Sequence, residues 1–214
     1  MLNITMLNDV LSHILHFGSS QIFPSCKKPL KLFLSFYLVI FSSALAKQGF
    51  YPQEDGLEWH YSNGETQVMT GPYNFEGIAV MVLTHYLNEA IVSEEYLVYD
   101  PTGVYSLGTA VEGGELQRYN PPLVIYDGSL LSVGQAWQSE TDVAGINISL
   151  HSEVLQVQGI ETEAGRFNAL LIRQKTFTDT GGQTVLDLYY VPSVGIVRFA
   201  SMDGNVVDLV KKNF

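Results

Sequence analysis

Apolar and polar residues alternate along Leu57–Ser62, which predicts a β-strand with one buried and one exposed face. The dipeptide Asn63-Gly64 follows, the strongest short indication of a hairpin turn. Further apolar runs, among them Ile78–Leu87 and Phe167–Thr178, recur at intervals of about 8–14 residues between glycine-rich turns. No segment after Ala46 keeps a helical period beyond about two turns. The chain is therefore predicted to fold as antiparallel β-strands.

One hairpin unit occurs twice. In Gln183–Ser201 two extended runs flank a tight corner, Pro192–Gly195, where proline ends a strand and glycine permits the positive φ of a reversal. Glu95–Leu107 has the same arrangement. Because a glycine–tryptophan step and an aromatic strand precede both units in the same order, we consider two similar halves, residues 56–111 and 134–210. Shared β composition is the alternative explanation.

The predicted fold class is all-β, an antiparallel meander of about 10–12 strands. A flat sheet of that size exposes two long edges, so we expect it to curl into a barrel or half-barrel, or to split into a sandwich. Glu112–Gly134 is predicted as an irregular joint between the halves, with only a short extended piece at Leu123–Tyr126.

The N-terminal segment differs in composition from the rest. Three lysines precede the apolar run Leu32–Phe41, and small residues spaced A-x-A end at Ala46. This order is typical of a secretory signal peptide, predicted here as a helical leader over residues 1–46 with cleavage after Ala46. A transmembrane anchor is the alternative, but the apolar stretch is shorter than the roughly 20 residues that span a bilayer. Since such leaders usually have about 15–30 residues, we expect that the start codon of this chain is assigned too far upstream. Residues 47–214 are predicted to form a single β domain.

Cysteine content and charge narrow the possible partners. The single cysteine, Cys26, lies in the leader, so core packing and not disulfides must hold the mature chain. No cysteine follows Ala46 to accept a lipid, which predicts no stable membrane anchor after cleavage. The chain has a net charge of −11, and removal of the leader leaves about −13. Such a surface repels phosphate backbones and anionic membranes, so nucleic acid is not an expected partner.

Residues with metal-binding or catalytic chemistry are few and scattered. The histidines of the mature chain are His60, His85 and His151, and none has a neighbour at metal-ligand spacing, so we predict no metal site. No nucleophile-elbow, dinucleotide-binding or phosphate-loop motif occurs, so no cofactor is expected.

Acidic residues supply the enzymatic alternative, a hydrolase with a carboxylate pair assembled by folding. The candidates are Glu94, Glu95, Asp100, Glu161 and Glu163. Glycoside hydrolysis needs two carboxyl groups several Å apart, which spacing along the chain does not reveal. Ordinary solvated positions are the other interpretation, and we predict no catalytic residue.

Aromatic residues on or beside the predicted strands are the remaining lead. A barrel lined with them is able to hold an apolar or sugar-like ligand, whereas the simpler interpretation is that they fill the core. These residues are Trp59, Tyr61, Tyr73, Phe75, Tyr96, Tyr99, Tyr105, Trp137, Tyr189, Tyr190 and Phe199.

Three motifs together resemble a broad group of exported bacterial β proteins that have no assigned function. They are the Gly-x-x-Trp step at Gly134–Trp137, the run Ala164–Leu170 and the run Tyr189–Val197. The resemblance implies a location in the bacterial envelope and supplies no catalytic residues. The lipoprotein members of that group have a lipid-accepting cysteine, which this chain lacks.

The sequence thus predicts an exported, periplasmic or secreted, non-enzymatic β domain that binds an envelope protein or an apolar small molecule. A structural envelope protein that acts through strand edges and the carboxylate hydrolase are the alternatives.

Overall fold

The computed structural model describes residues 50–214, so the predicted leader, its cleavage site and Cys26 lie outside the described residues. This range holds twelve β-strands and no helix of the length and apolarity needed to cross a bilayer. The strands are β1 Glu58–Tyr61, β2 Glu65–Phe75, β3 Ile78–Leu87, β4 Ala90–Asp100, β5 Gly103–Val111, β6 Gln117–Asp127, β7 Ala136–Val143, β8 Ile146–Thr162, β9 Gly165–Thr178, β10 Gln183–Val191, β11 Gly195–Ser201 and β12 Val206–Lys212.

The strands form one closed barrel in which each strand lies antiparallel to its neighbours along the chain. β1 and β12 complete the circle, with Trp59 opposite Lys212 and His60 opposite Lys211. The predicted all-β meander is confirmed, and among the three predicted arrangements the barrel is the one that forms. Closure pairs the first strand with the last and so removes the exposed lateral edges of an open sheet.

The segment predicted as an irregular joint is the main correction. It contains β6, a strand of 11 residues that pairs with β5. Pro121 and Pro122 made this segment look irregular, because proline cannot donate to a ladder and normally lies at sheet edges. Here they face β7, where one backbone pair, Asn120 with Asp142, joins the two strands. β8 has 17 residues and continues to Thr162, next to the turn that leads into β9.

Side-chain hydroxyls hold β6 and β7 together. The Thr141 hydroxyl donates to the Pro121 carbonyl at 2.7 Å, and the Ser139 hydroxyl accepts from the Val124 N–H at 3.0 Å. These bonds satisfy polar groups that a regular ladder would otherwise pair.

Inward-facing side chains of all parts of the ring form one apolar core. Its centre is fully buried at Val154, Ile172, Val197 and Leu209. Burial of one such side chain stabilises the fold by about 1.5–3 kcal/mol, so the core holds the barrel without cross-links.

Aromatic side chains close one end of the barrel. Tyr51 stacks on Tyr126 with ring centroids 5.0 Å apart, and Phe50 meets the Tyr51 ring edge-on at 4.9 Å. Tyr190 lies 5.1 Å from Tyr126, and its hydroxyl donates to the Phe50 carbonyl at 2.7 Å. We call Phe50, Tyr51, Tyr126 and Tyr190 the aromatic plug.

Candidate functional site

A buried carboxylate and imidazole lie on the inner wall of the barrel. Glu65 and Gln67 alternate along β2 with outward residues and share the inward face with Met69, a core residue. One Glu65 carboxylate oxygen lies 2.8 Å from the His85 Nδ1 in β3 and accepts from the Gln67 amide, also at 2.8 Å. Burial alone raises the pKa of Glu65, but hydrogen bonds from His85, Gln67 and Asn63, with attraction to His85, lower it overall. Glu65 is thus held as a charged, fully bonded group.

A second inward carboxyl group lacks such partners. Glu95 lies between Ser93 and Leu97 on the inward face of β4, and both neighbours are buried. Burial raises the pKa of Glu95, and the opposing influences of His85 and the Ser106 hydroxyl do not cancel that rise. Among residues 50–214, no arginine or lysine forms an ion pair with it.

Ser106 lies close to Glu95 and lowers the pKa of that carboxyl group. It is opposite Leu97 in the β4–β5 register and is 0% exposed. Its hydroxyl is near enough to favour the charged form of Glu95, yet the Oγ makes no hydrogen bond of standard geometry within the described part of the chain. A buried hydroxyl in this state indicates a position for water or for a polar ligand group.

Three tyrosines lie near enough to Glu95 to be influenced by its charge. Burial raises the pKa of Tyr99, Tyr119 and Tyr126, and the negative charge of Glu95 raises each further. All three rings and Glu95 nevertheless keep part of their surface accessible to solvent. These side chains are therefore neither sealed in the core nor fully exposed. We call Glu95, Ser106, Tyr99, Tyr119 and Tyr126 the acid–tyrosine pocket.

A separate groove of about 500 Å³ lies on the outer face of β7–β9. His151 is opposite Lys175, and its ring meets the Phe177 ring edge-on at 5.5 Å. Arg173 lines the same groove and is held by Asp187 of β10 at 2.8 Å. The groove therefore combines cationic, aromatic and hydrogen-bonding groups on one accessible surface.

The three predicted histidines do not come together. His60 is on the outer surface of β1 beside Glu58 at 3.5 Å, His85 is inside the barrel, and His151 is in the outer groove. Within residues 50–214, no set of three or more His, Cys, Asp or Glu side chains is arranged to hold a metal ion.

The five acids considered for hydrolysis are dispersed. Glu94 shares the outer face of β4 with Tyr96, whereas its neighbour Glu95 faces inward. Asp100 accepts bonds from Thr102 at the β4–β5 turn. Glu161 pairs with Arg166 at 3.1 Å near the β8–β9 turn, where Glu163 also lies.

The aromatic residues divide between core and surface. Four of them are core residues, which confirms the core-filling interpretation for Trp59, Tyr61, Trp137 and Tyr190. Tyr99, Tyr189 and Phe199 pack against the core. Tyr73 is exposed, the Phe75 ring lies 5.7 Å from the Tyr96 ring, and the Tyr105 hydroxyl bonds Thr102 at the surface.

Sequence reasoning missed Glu65, Ser106 and Tyr119 as site residues. For Glu65 the indication was available, since the alternation of β2 places it on the face of Met69. Tyr119 was hidden because its segment was predicted to be irregular.

Comparisons with known proteins give a likeness of fold. No family model and no curated protein matches the chain. One solved structure, a candidate lipoprotein from Parabacteroides distasonis, is 11% identical with a TM-score of 0.45, over 77% of this chain and 98% of the other. A second, a candidate exported protein with a YmcC-like fold from Bacteroides fragilis, is 13% identical with a TM-score of 0.44, over 78% and 99% of the two chains. Both descriptions are of the kind of protein that the sequence motifs resemble.

Proposed function

We propose that this protein is an exported, non-enzymatic binding module that takes a small polar ligand into the acid–tyrosine pocket. The observation that carries the proposal is Glu95: an inward, half-buried carboxyl group without an ion pair, beside the buried Ser106 hydroxyl. Ligand sites typically combine aromatic walls with a few convergent polar groups. Titratable groups with displaced pKa values concentrate at such sites.

The interior favours a polar ligand over the apolar one expected from the sequence. The aromatic plug occupies its end of the barrel with its own rings, and the hydroxyls of Tyr51 and Tyr190 donate to backbone carbonyls. The half-buried groups near Glu95 instead carry oxygen atoms, of a carboxyl group and of phenols. A hydrocarbon ligand there would leave those groups without partners, at a cost of about 1–3 kcal/mol each.

Access to the pocket is the direct test, and the chain is suited to it because its single cysteine is Cys26. In a Cys26→Ser background, Ser106→Cys is treated with a small neutral methanethiosulfonate. We expect labelling of the folded protein, slower than at the exposed control Ser129→Cys but far faster than global unfolding. Labelling only at the rate of unfolding would show that the pocket is closed, and the proposal would fail.

The outer groove supports a second candidate function, contact with an envelope protein through β7–β9. Its exposed charges and the Phe177 ring resemble a polar protein contact more than a cavity for a small molecule. A photo-crosslinking residue at Gln138 in the native host should give a discrete adduct that Lys175→Glu removes. An adduct that is unchanged in Lys175→Glu would count against this role. So would an equal adduct when the photo-crosslinking residue is placed outside the groove, for example at Glu94.

A further inference from the structure

We propose that the outer groove of β7–β9 docks an acidic segment of a protein partner, with one aspartate or glutamate carboxylate of that segment between His151 and Lys175. This inference rests on the second candidate function, contact with an envelope protein, and names the chemistry of that partner.

The positive charges of the groove differ in what balances them. The Arg173 guanidinium donates two hydrogen bonds of 2.8 Å to the Asp187 carboxylate, and Glu153 lies opposite Arg173 in the β8–β9 register. Lys175 lines the same groove and is exposed. In the part of the chain that the structure describes, its ammonium group forms no ion pair. Arg173 is therefore balanced within the chain, whereas Lys175 is available to a carboxylate of another protein.

A second histidine–lysine pair on the outer surface shows what such a pair accepts. His60 of β1 lies opposite Lys211 of β12, and the Glu58 carboxylate is 3.5 Å from the His60 Nε2. His151 of β8 lies opposite Lys175 of β9 in the same way. Over residues 50–214, however, no carboxylate forms an ion pair with His151. The groove therefore presents to a partner a pair of the kind that, on β1 and β12, already has a carboxylate beside it.

The other walls of the groove favour a protein segment over a small anion. The groove has a volume of about 500 Å³, far more than one inorganic anion fills. Gln138 lies opposite His151, and its side-chain amide can donate to and accept from a peptide backbone. The Phe177 ring, edge-on to the His151 ring at 5.5 Å, adds an apolar surface beside the cations. A segment in which an acidic residue adjoins an apolar one uses all of these groups.

The charge of the whole chain directs an acidic partner to this place. The net charge is −11, so most of the surface repels an acidic segment. Arg173 and Lys175 are two residues apart on β9 and therefore share its outer face, where both line the groove. Complementary charge of this kind speeds the encounter and rejects wrong sites more than it adds affinity.

Two capped hexapeptides of alternating residues serve as probes, one of glutamate and alanine and the other of glutamine and alanine. Each is titrated into the full isotope-labelled chain, and amide NMR shifts are followed. We expect the glutamate peptide to shift the amides around His151 and Lys175 in a saturable way, and the glutamine peptide to leave them unchanged. Lys175→Gln should weaken the binding about fivefold, the effect of losing one ion pair at a surface.

Two control variants separate charge from shape. Lys175→Arg keeps the charge and should keep the binding. Lys211→Gln removes the lysine of the other histidine–lysine pair and should have no effect. Equal shifts from both peptides, shifts centred on Lys211 and Lys212, or unchanged binding in Lys175→Gln would overturn the inference. Inorganic phosphate that binds the groove as tightly as the glutamate peptide would also overturn it, since a small anion would then suffice.

Photo-crosslinking at Gln138 in the native host distinguishes failure of this inference from failure of the proposed contact. We expect an adduct with another protein that weakens in Lys175→Gln and persists in Lys175→Arg. An adduct that only Lys175→Glu removes would keep the contact and overturn the acidic segment, because loss of the lysine charge would then not matter. An adduct between two copies of this chain would also overturn the inference. No discrete adduct would overturn both the inference and the contact.

Discussion

Glu65→Gln should destabilise the barrel far more than Glu58→Gln, although each change removes one carboxylate beside a histidine. The side chains of Glu65 and His85 are 4% and 17% exposed and lie 2.8 Å apart. Those of Glu58 and His60 are 43% and 33% exposed and lie 3.5 Å apart. The two pairs thus form a matched comparison on neighbouring strands of one sheet.

The expected magnitudes follow from burial. Removal of one partner from a buried pair costs about 3–5 kcal/mol, and we expect the lower end because glutamine retains hydrogen-bonding groups. An exposed pair contributes about 0–1 kcal/mol. With a urea m-value of about 1–3 kcal/mol/M, Glu65→Gln should lower the unfolding midpoint by about 1 M or more.

The pH dependence gives an independent check. The folded pKa of Glu65 lies below its ordinary value of 4.5, so this carboxylate stabilises the fold fully above that value. The contribution is lost as the pH falls through the lowered pKa. Urea unfolding followed by tryptophan fluorescence at a series of pH values measures both effects. A difference between the Glu65 and Glu58 variants below about 0.5 kcal/mol at pH 7, or one that persists unchanged in acid, would refute the reasoning.

Three further results are expected. Glu95→Gln should raise stability at neutral pH, because the raised pKa of Glu95 means that its charge costs folding energy. Calorimetry should show this gain vanish below pH 4.5, the ordinary pKa of the carboxyl group. A loss of stability at neutral pH would contradict the burial of the charge. Gly103→Ala should destabilise the protein in denaturant unfolding far more than Gly145→Ala, which should cost roughly 1 kcal/mol. An added Cβ at Gly103 collides with the Tyr126 carbonyl oxygen, whereas Gly145 has open space, so equal losses would contradict this contact. Thr141→Val removes the hydrogen bond to the Pro121 carbonyl, so it should speed amide hydrogen exchange in β6 with little change in β9. An equal increase in both strands would argue against a locally weak contact between β6 and β7.

Much of the barrel was predictable because its strands follow simple patterns. β3 was predicted with both of its observed ends, and the turns at Asn63-Gly64 and Pro192–Gly195 lie where their residues indicate. Alternation and turn chemistry are local properties, so the sequence reports them directly. β6 was missed because the local effect of its prolines was outweighed by pairing with β5, a contact between distant parts of the chain.

The candidate site was harder to predict for the same physical reason. Glu95 was considered together with Glu94, Asp100 and other acids close to it in sequence, but its relevant neighbours come from β3, β5 and β6. Only closure of the barrel brings these strands to one interior. Alternation tells which residues face inward, and the register between strands decides which of them meet.

The single backbone pair between β6 and β7 makes the wall of the cylinder uneven. β7 and β8 are paired at eight positions, whereas β6 can leave β7 after one backbone pair and a few hydroxyl bonds break. Transient openings occur first where the fewest bonds are broken, so thermal fluctuations should part the wall here. Because Tyr119 of β6 lies beside this pair, each fluctuation offers a sideways entrance to the interior at that point of the wall.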